Sequence, residues 1–355
     1  MLSSLHTLSR ARSASGRAAR VCVTSALPHI ARSSPRPFST APSPNPPQVT
    51  AQRALLYVPG SNPKQLSRVL AGGLGAIAGG KQAQPDVAIL DLEDSVRNEK
   101  KGEARRNVLD ALQARPKSPS QKFVRINSGQ LGLDDLEVIL TTKHLEGIVM
   151  PKVNTADDVR VVDAFIDRFG LDEQKDDLRI IASIESPLAI LNLREIATCS
   201  PRISSLLFAA EDYCSASNLI RTPSRREMLF ARSSVVTTAK AFGLKAVDLV
   251  CVQYKGEGAQ ELLRDEAREG RELGFDGKQA IHPDQVPIIQ SSFTPSEREI
   301  ERALAILEKY AALSDSGAGA YGLTNRDGTT SMIDAPMLLQ ANGILAQARA
   351  AGLDV

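Results

Sequence analysis

The sequence lacks acidic residues over its first 85 positions and is poor in several chemically reactive residue types. Its 355 residues include no Trp, four His and four Cys. No run of about 18 consecutive apolar residues occurs, so we expect no membrane-spanning helix. Only His144 and His282 lie beyond the first 29 residues. The chain therefore has few histidines from which to build a Ser-His-Asp triad or a multi-histidine metal site.

The cysteines are spaced too widely for a disulfide framework or a zinc site. Cys22 lies in the N-terminal segment, and Cys199, Cys214 and Cys251 are far apart, with no CxxC motif. We expect the last three to be free, buried thiols in a reducing compartment.

The N-terminal segment has the composition of a mitochondrial targeting sequence. Residues 1–48 hold six Arg and no Lys, Asp or Glu, so the net charge of +2 falls to −4 without them. An Arg- and Ser-rich, acid-free, amphipathic segment is typical of an organelle transit peptide. We predict a transit peptide over 1–38, cleaved after Phe38 on import into the matrix, and a Pro-rich linker over 39–52. The alternative, a basic arm for nucleic acid, fits less well because such arms usually contain Lys.

Strand-like and helix-like segments alternate through the central part of the chain. Eight short apolar runs are separated by segments with helical spacing, at 54–58, 87–92, 123–126, 147–150, 180–184, 206–209, 246–252 and 277–281. Strands covered on both faces read as continuous apolar runs. The alternation predicts an α/β fold, a (β/α)₈ TIM barrel over 53–295, and a doubly wound sheet is the alternative.

The chain continues for about 60 residues beyond the eighth run. We predict helices over 296–313 and 335–351, joined through a Gly- and Ser-rich loop at 315–322. Closing a barrel does not require this C-terminal helical extension, 296–355. We therefore expect it to cap the site or to contact a neighbouring subunit.

Polar and charged residues follow the predicted strands, where a barrel of this kind holds its active site. The oxygen-rich set favours Mg²⁺, which binds through one or two carboxylates and retains waters and substrate. Glu185 and Asp212 follow neighbouring strands and would be close in space. Arg125 would pair with a substrate carboxylate or polarise a carbonyl. The alternative is a ring of structural ion pairs at the barrel rim.

The first predicted helix carries two cations on one face. Tyr57 ends the first strand, and Lys64 and Arg68 follow at positions i and i+4. A helix N-terminus flanked by cations suits a phosphate-bearing ligand. A solvated basic face is an equally good interpretation of the pattern alone.

Eight segments taken together resemble the HpcH/HpaI aldolase–citrate lyase β-subunit family, in its mitochondrial citrate-lyase-β-like branch. In chain order they are RALLYVPG (53–60), DLEDSV (91–96), VRIN (124–127), MPK (150–152), IES (184–186), AEDY (210–213), GKQAIHP (277–283) and MIDAPM (332–337). The resemblance implies a Mg²⁺-dependent barrel that acts on acyl-CoA, usually as a homotrimer.

The resemblance also assigns roles to residues. Glu185 and Asp212 match the metal ligands, and Glu185 also contacts substrate. The substrate-binding positions are Tyr57, Lys64, Arg68, Arg125, Glu185, Ala280 and Ile281. Asp334 matches a catalytic aspartate that such enzymes place in a neighbour's active site. The roles of Asp91, Glu93 and Asp94 stay open between positioning a water and bracing the barrel.

The implied activity is retro-Claisen cleavage of a citramalyl-CoA- or malyl-CoA-type 3-hydroxyacyl-CoA, or the reverse condensation. A CoA-independent aldolase for 4-hydroxy-2-keto acids and a citrate-lyase-β-like module that needs partners are the alternatives. We expect neither nucleic acid nor a membrane as a partner. After the seventh strand, Gln253-Tyr254-Lys255 stands where the family often has an acidic residue and an aromatic. This departure leaves the acyl-group preference open.

Overall fold

The apolar runs form eight parallel strands that close into a barrel, with β1 to β8 in chain order around the ring. The computed structural model describes residues 51–73, 84–114, 118–313, 321–324 and 328–355. The predicted (β/α)₈ barrel with C-terminal helices is confirmed. The predicted transit peptide, and the linker up to residue 50, lie outside the described residues.

The barrel strands are short and begin and end close to the predicted positions. They are β1 (Ala54–Pro59), β2 (Val87–Asp91), β3 (Gln121–Arg125), β4 (Gly147–Met150), β5 (Arg179–Ile184), β6 (Ile203–Phe208), β7 (Lys245–Asp248) and β8 (Gly277–Ala280). The described helices are α1 (Pro63–Leu70), α2 (Lys101–Gln113), α3 (Gly129–Ile139), α4 (Ala156–Phe169), α5 (Pro187–Leu191), α6 (Leu193–Thr198), α7 (Ala210–Ser217), α8 (Leu229–Ala241), α9 (Ala259–Leu273), α10 (Gln285–Phe293), α11 (Glu297–Leu313) and α12 (Ala335–Ala350).

Alternate residues of each strand point into the barrel or out towards the helices. The inward residues form one apolar layer, made of Leu55, Val87, Ile89, Phe123, Val149, Ile181, Leu207 and Val247. Their sequence neighbours, such as Leu56, Ala88 and Val124, pack under the helices in the larger core. The barrel is therefore a packed core, with polar side chains at its C-terminal mouth and a smaller polar group of Gln52, Gln121 and Ser205 at the opposite end.

Two predicted elements differ in extent from those observed. The helix predicted over 188–197 is broken into α5 and α6 at Asn192, whose side-chain amide donates to the Asn154 carbonyl at 2.8 Å. The seventh strand stops at Asp248 instead of 252. Its pairing with β8 ends with Asp248 and Lys278, and the Leu249 carbonyl accepts a hydrogen bond from the Lys278 ammonium.

The C-terminal extension has a small core of its own. Helices α11 and α12 pack through Ile300, Ala303, Ile306, Ala341 and Leu345, together with Ile333. Ile333 belongs to a two-stranded antiparallel hairpin of β9 (Tyr321–Thr324) and β10 (Thr330–Ile333), which we did not predict. The predicted loop at 315–322 was wrong in its last two residues, which begin β9; residues 315–320 lie outside the described part. Cross-strand pairing overrides the loop signal of the local composition here.

A fully buried ion pair joins the outer helices to the barrel. Arg232 on α8 donates to both carboxylate oxygens of Asp248 on β7, at 3.1 and 2.8 Å, and neither side chain is exposed. Without Asp248, the buried Arg232 retains only Glu269, 3.2 Å from its Nη1, and breaking a buried pair of this kind costs about 3–5 kcal/mol.

We therefore predict that Asp248→Asn lowers the free energy of unfolding by about 3 kcal/mol. Urea denaturation followed by circular dichroism measures this loss. Asp172→Asn is the matched control, because Asp172 is 94% exposed and pairs with Lys175 in solvent. The control should change the stability by less than about 0.5 kcal/mol. Equal losses in the two variants would contradict a specific role for the buried pair.

Candidate active site

The inward alternation of the strands continues beyond the apolar layer and produces a polar layer at the mouth of the barrel. The strand residues two positions after Leu55, Ile89 and Phe123 are, respectively, Tyr57, Asp91 and Arg125. On β5 the same alternation leads past Ser183 to Glu185. The strand period of two therefore places these side chains in one ring, where the sequence analysis expected the site.

Glu185 is a buried carboxylate with an uncompensated oxygen. It is 6% exposed, and its Oε2 has no hydrogen-bond partner. Burial, together with the charge of nearby Asp212, raises the pKa of Glu185. Asp212 lies in the first turn of α7, directly after β6, so the two predicted metal ligands are brought together. A cation between them would compensate both charges.

The donor set suits a hard divalent cation that keeps part of its water shell. Among the residues that the structure describes, no three His, Cys, Asp or Glu side chains converge into a complete metal cage. Two carboxylates with open positions match the coordination habit of Mg²⁺, which retains waters and binds substrate oxygens. The orphaned Oε2 of Glu185 is the atom that such an ion would satisfy.

Arg125 is held rigidly at the end of β3 by Asp91 at the end of β2. Its Nε and Nη2 donate to the two Asp91 oxygens at 2.6 and 2.7 Å. Burial opposes both charges, but this pairing raises the pKa of Arg125 and lowers the pKa of Asp91. The guanidinium lies 4.7 Å from the centre of the Tyr57 ring. Asp91 thus braces the arginine, which resolves one of the roles that the sequence left open.

Glu93 lies between two cations in the loop after β2. Its carboxylate contacts Arg125 Nη1 at 3.0 Å and Lys152 Nζ at 3.1 Å. Burial and a hydrogen bond with Asp94 nevertheless raise the pKa of Glu93 to about 7. The ion pair with Glu93 raises the pKa of Lys152. The two carboxylates, Glu93 and Asp94, therefore share the neighbourhood of Arg125 and face the opening of the barrel.

Tyr57 is oriented by a residue that the sequence analysis did not single out. Its hydroxyl donates to Gln279 Oε1 at 3.0 Å, and the Gln279 amide donates to the carbonyls of Phe208 and Asp248. Burial raises the pKa of Tyr57, which keeps it a neutral phenol. Gln279 could have been found from its inward position on β8, opposite Leu55 of β1.

The remaining predicted substrate-binding residues follow β1 and β8. Lys64 and Arg68 are both exposed on α1, Lys64 in its first turn and Arg68 in its last. Ala280 is buried at the end of β8, and Ile281, 43% exposed, follows it. Nearby, Tyr254 stacks on His282 with ring centres 5.1 Å apart. The Gln253-Tyr254-Lys255 segment thus contributes an aromatic face next to Ile281.

Among the described residues of this chain, no hydrogen bond or ion pair connects the Asp334 side chain with this site. It is the N-cap of α12, where its Oδ1 accepts from the Met337 N–H at 3.2 Å. The C-terminal half of α12 lines a cavity with Gln52 and Lys245, at the N-terminal end of the barrel. The helix that Asp334 caps is therefore in contact, at its C-terminal half, with the end of the barrel opposite the mouth.

The cysteines were expected to be free and buried, and Cys199 differs in being only partly buried. Cys199, Cys214 and Cys251 are free, and burial raises the pKa of Cys199 and of Cys251 to about 11. No helix in the described part of the chain combines the length and the apolar character that crossing a membrane requires.

The raised pKa of Glu93 predicts a pH dependence of stability. A carboxyl group whose pKa rises from 4.5 to about 7 on folding binds more protons in the folded state than in the unfolded state between these values. Its contribution is present below about pH 4.5 and is lost as the pH rises through about 7. We expect a shallower decline in the free energy of unfolding over this window for Glu93→Gln than for the wild type.

Chemical denaturation at half-unit pH steps measures the two curves. Glu103→Gln is the control, because the contact with Lys100 lowers the pKa of Glu103 and moves its titration below the window. Its curve should run parallel to that of the wild type. A Glu93→Gln curve that is also parallel would contradict the raised pKa.

Known proteins resemble this chain along the whole barrel. The model of the HpcH/HpaI aldolase/citrate lyase family matches residues 53–283. The mouse protein "Citramalyl-CoA lyase, mitochondrial" is 32% identical over 309 residues, covering 83% of this chain and 85% of that protein. Citrate lyase subunit beta of Haemophilus influenzae is 32% identical over 302 residues, covering 84% of this chain and 97% of that protein.

A solved structure shows the same fold. CitE from Mycobacterium tuberculosis, in complex with magnesium, acetoacetate and coenzyme A, superposes with a TM-score of 0.63 at 27% identity. The match covers 84% of this chain and 98% of that one. The family match spans the whole barrel, from β1 to the residues that follow β8. The chain belongs to the HpcH/HpaI aldolase/citrate lyase family.

Proposed function

We propose that this protein is a Mg²⁺-dependent carbon–carbon lyase that acts on acyl-CoA thioesters. The observation that carries the proposal is the buried, unpartnered oxygen of Glu185 beside Asp212, at the mouth of a barrel whose relatives are named lyases. The complex of CitE with magnesium, acetoacetate and coenzyme A supports both the ion and the thioester.

The reaction that fits is cleavage of a 3-hydroxyacyl-CoA of the citramalyl-CoA or malyl-CoA type. Loss of the hydroxyl proton forms the carbonyl of a 2-keto acid, and the carbon–carbon bond breaks towards the thioester. Its electron pair forms the enolate of acetyl-CoA, which then takes up a proton. Citramalyl-CoA would give acetyl-CoA and pyruvate, and the reverse condensation uses the same groups.

The residues of the site have three separate roles: binding the ion, positioning the keto acid and binding CoA. Glu185 and Asp212 hold the ion, which when bound supplies Lewis-acid stabilisation of developing negative charge. Arg125, braced by Asp91, presents Nη1 towards the mouth and positions the keto-acid oxygens. Tyr57, Lys64 and Arg68, with the turn at Ala280 and Ile281, form the CoA-binding side. The exposed cations of α1 suit its phosphates.

Asp334 is the proposed proton carrier, supplied by a neighbouring copy in a homotrimer. Within the chain the C-terminal half of its helix lines a cavity at the far end of the barrel, and the extension has a core separate from that of the barrel. Such an extension is well placed to reach an adjacent subunit. The carboxylate would take the hydroxyl proton and return a proton to the enolate.

We also propose a mitochondrial matrix location. The acid-free, Arg-rich segment over 1–38 supports it, and the citramalyl-CoA lyases of mouse and human carry the word mitochondrial in their names. Import would remove the segment before the linker and leave the barrel and its extension.

The test of the function is turnover by the purified chain alone. With Mg²⁺ and a panel of malyl-, methylmalyl-, citramalyl- and citryl-CoA, we expect acetyl-CoA and a 2-keto acid, with citramalyl-CoA the best substrate. Chromatography of the CoA products measures the rates, and EDTA should abolish them. Cleavage of a free 4-hydroxy-2-keto acid without CoA would favour the aldolase, and no product from any substrate would favour a partner-dependent module.

Two variants separate metal binding from proton transfer. Glu185→Gln should lose the rise in melting temperature that Mg²⁺ produces in the wild type. Asp334→Asn should keep that rise while kcat falls by about 10²- to 10⁴-fold. Because the two residues would serve one site from different subunits, mixing and reassembling the two inactive variants should restore part of the activity. Full activity of Asp334→Asn would refute its role, and the absence of complementation would refute the shared site.

A further inference from the structure

Lys152 occupies a position at the mouth of the barrel to which neither the motifs nor the relatives' names attach a role. It is the second residue after β4, following Pro151, and β4 lies between β3 and β5, whose ends carry Arg125 and Glu185. Its side chain is 45% exposed, and its ammonium contacts Glu93 Oε1 at 3.1 Å. It is therefore a cation within the ring of site residues that solvent, and hence a substrate, can reach.

The backbone at Lys152 is held in a conformation that a lysine rarely adopts. Its φ angle is 53°, in the left-handed region, which is unfavourable for a residue with a Cβ atom. The conformation lets the backbone of Lys152 hydrogen-bond to the Glu185 carboxylate, and the next N–H, that of Val153, donates to the Ser183 carbonyl at 3.3 Å. Strain of this kind persists where the surrounding structure enforces it, and it concentrates at functional sites.

Arg125 is less available to a substrate than its residue type suggests. Asp91 occupies the bidentate edge of its guanidinium, and Nη1 already contacts Glu93 and Asp94 at 3.0 and 3.3 Å. Asp91 leaves free only the second N–H of Nη2 and the two of Nη1, and Nη1 already faces two carboxylates. A second cation is needed beside it to balance an anionic substrate among so many carboxylates.

Lys152 has open space on one side and a predicted metal ligand on the other. It lines a cavity of about 680 Å³ together with Glu93, Asp94, Asn127 and Ser128, on the side away from Glu185 and Arg125, which do not line that cavity. The ammonium is also close enough to Asp212 for that carboxylate to stabilise its charge. We therefore expect a group bound at the Glu185–Asp212 pair to lie within reach of the Lys152 side chain. The ion-pair partner of Lys152, Glu93, is on the wall of the cavity.

We propose that Lys152 is a further substrate-binding residue: its ammonium contacts a carboxylate oxygen of the 2-keto acid portion of the substrate, beside Arg125 and the metal site. This inference rests on the proposed lyase function. The competing interpretation is that Lys152 only orients Glu93 and, through its backbone, Glu185. The two differ in whether loss of the ammonium alone weakens keto-acid binding.

The experiment is calorimetric titration of pyruvate into the full-length protein with saturating Mg²⁺. Lys152→Met keeps the aliphatic stem and the strained backbone but removes the charge. We expect it to weaken pyruvate binding by about tenfold or more, as for loss of one charge-assisted hydrogen bond. Lys152→Arg should recover most of the affinity, and Mg²⁺ binding in the absence of pyruvate should change by less than about twofold in both variants.

Lys152→Gly separates the backbone from the side chain, because glycine adopts the left-handed conformation without strain. We expect it to lose pyruvate affinity like Lys152→Met while its melting temperature does not fall. Lys175→Met is the matched control: Lys175 makes a similar ion pair, with Asp172, in the segment before β5 at the other end of the barrel. It should bind pyruvate as the wild type does.

Kinetics of the condensation supply a second readout. In Lys152→Met the KM for pyruvate should rise by about tenfold while kcat changes by less than about threefold. Wild-type affinity for pyruvate in Lys152→Met, or in Lys152→Gly, would overturn the role of the ammonium while leaving the lyase function intact. Failure of the wild type itself to bind pyruvate with Mg²⁺ would overturn both the role of Lys152 and the choice of citramalyl-CoA as the best substrate.

Discussion

The burial of carboxylates at the open end of the barrel is the constraint on which the rest of the site depends. A carboxylate removed from water must be paired, protonated or bound to a cation. The structure uses each solution in turn. Asp91 is paired bidentately with Arg125, Glu93 has a pKa close to neutrality, and Glu185 retains an oxygen without a partner. The unsatisfied oxygen marks the place where a metal ion would complete the electrostatics.

The same constraint explains the rigidity of the arginine and the exposure of the lysine. Arg125 is fixed by Asp91 and stacked against Tyr57, so its position depends on two strands at once. Lys152 is anchored through its backbone and contacts Glu93 through a long, partly exposed side chain. One cation is thus preorganised and the other adaptable, a combination that suits a site in which charge moves between substrate and product.

The C-terminal extension stands apart from this arrangement. Its helices pack on each other around Ile300, Ala341 and Leu345, and its hairpin contributes Ile333 to the same core. A barrel is complete without such an addition. In our proposal, the extension therefore serves to place Asp334 in the active site of a neighbouring subunit.

Much of the architecture could be predicted from the sequence, because hydrophobic runs and their alternation are local properties. Eight runs predicted eight strands, and the residues that follow them, Glu185 and Asp212 among them, were expected at one end of a barrel. Three features could not be predicted from local patterns. The hairpin of β9 and β10 depends on pairing across a turn, and the break at Asn192 depends on a contact with Asn154. The bracing of Tyr57 depends on Gln279, more than two hundred residues away.

The sequence by itself determined the fold class and which side chains reach the mouth of the barrel, because both follow from the two-residue period of strands. Only the tertiary structure decided which of those side chains contact each other. Asp91 pairs with Arg125, Glu93 lies between two cations, and Lys152 adopts a left-handed backbone beside Glu185. The physical reason is that ion pairs, burial and backbone strain depend on distances through space. Those distances are set by the register and closure of strands that lie far apart along the chain.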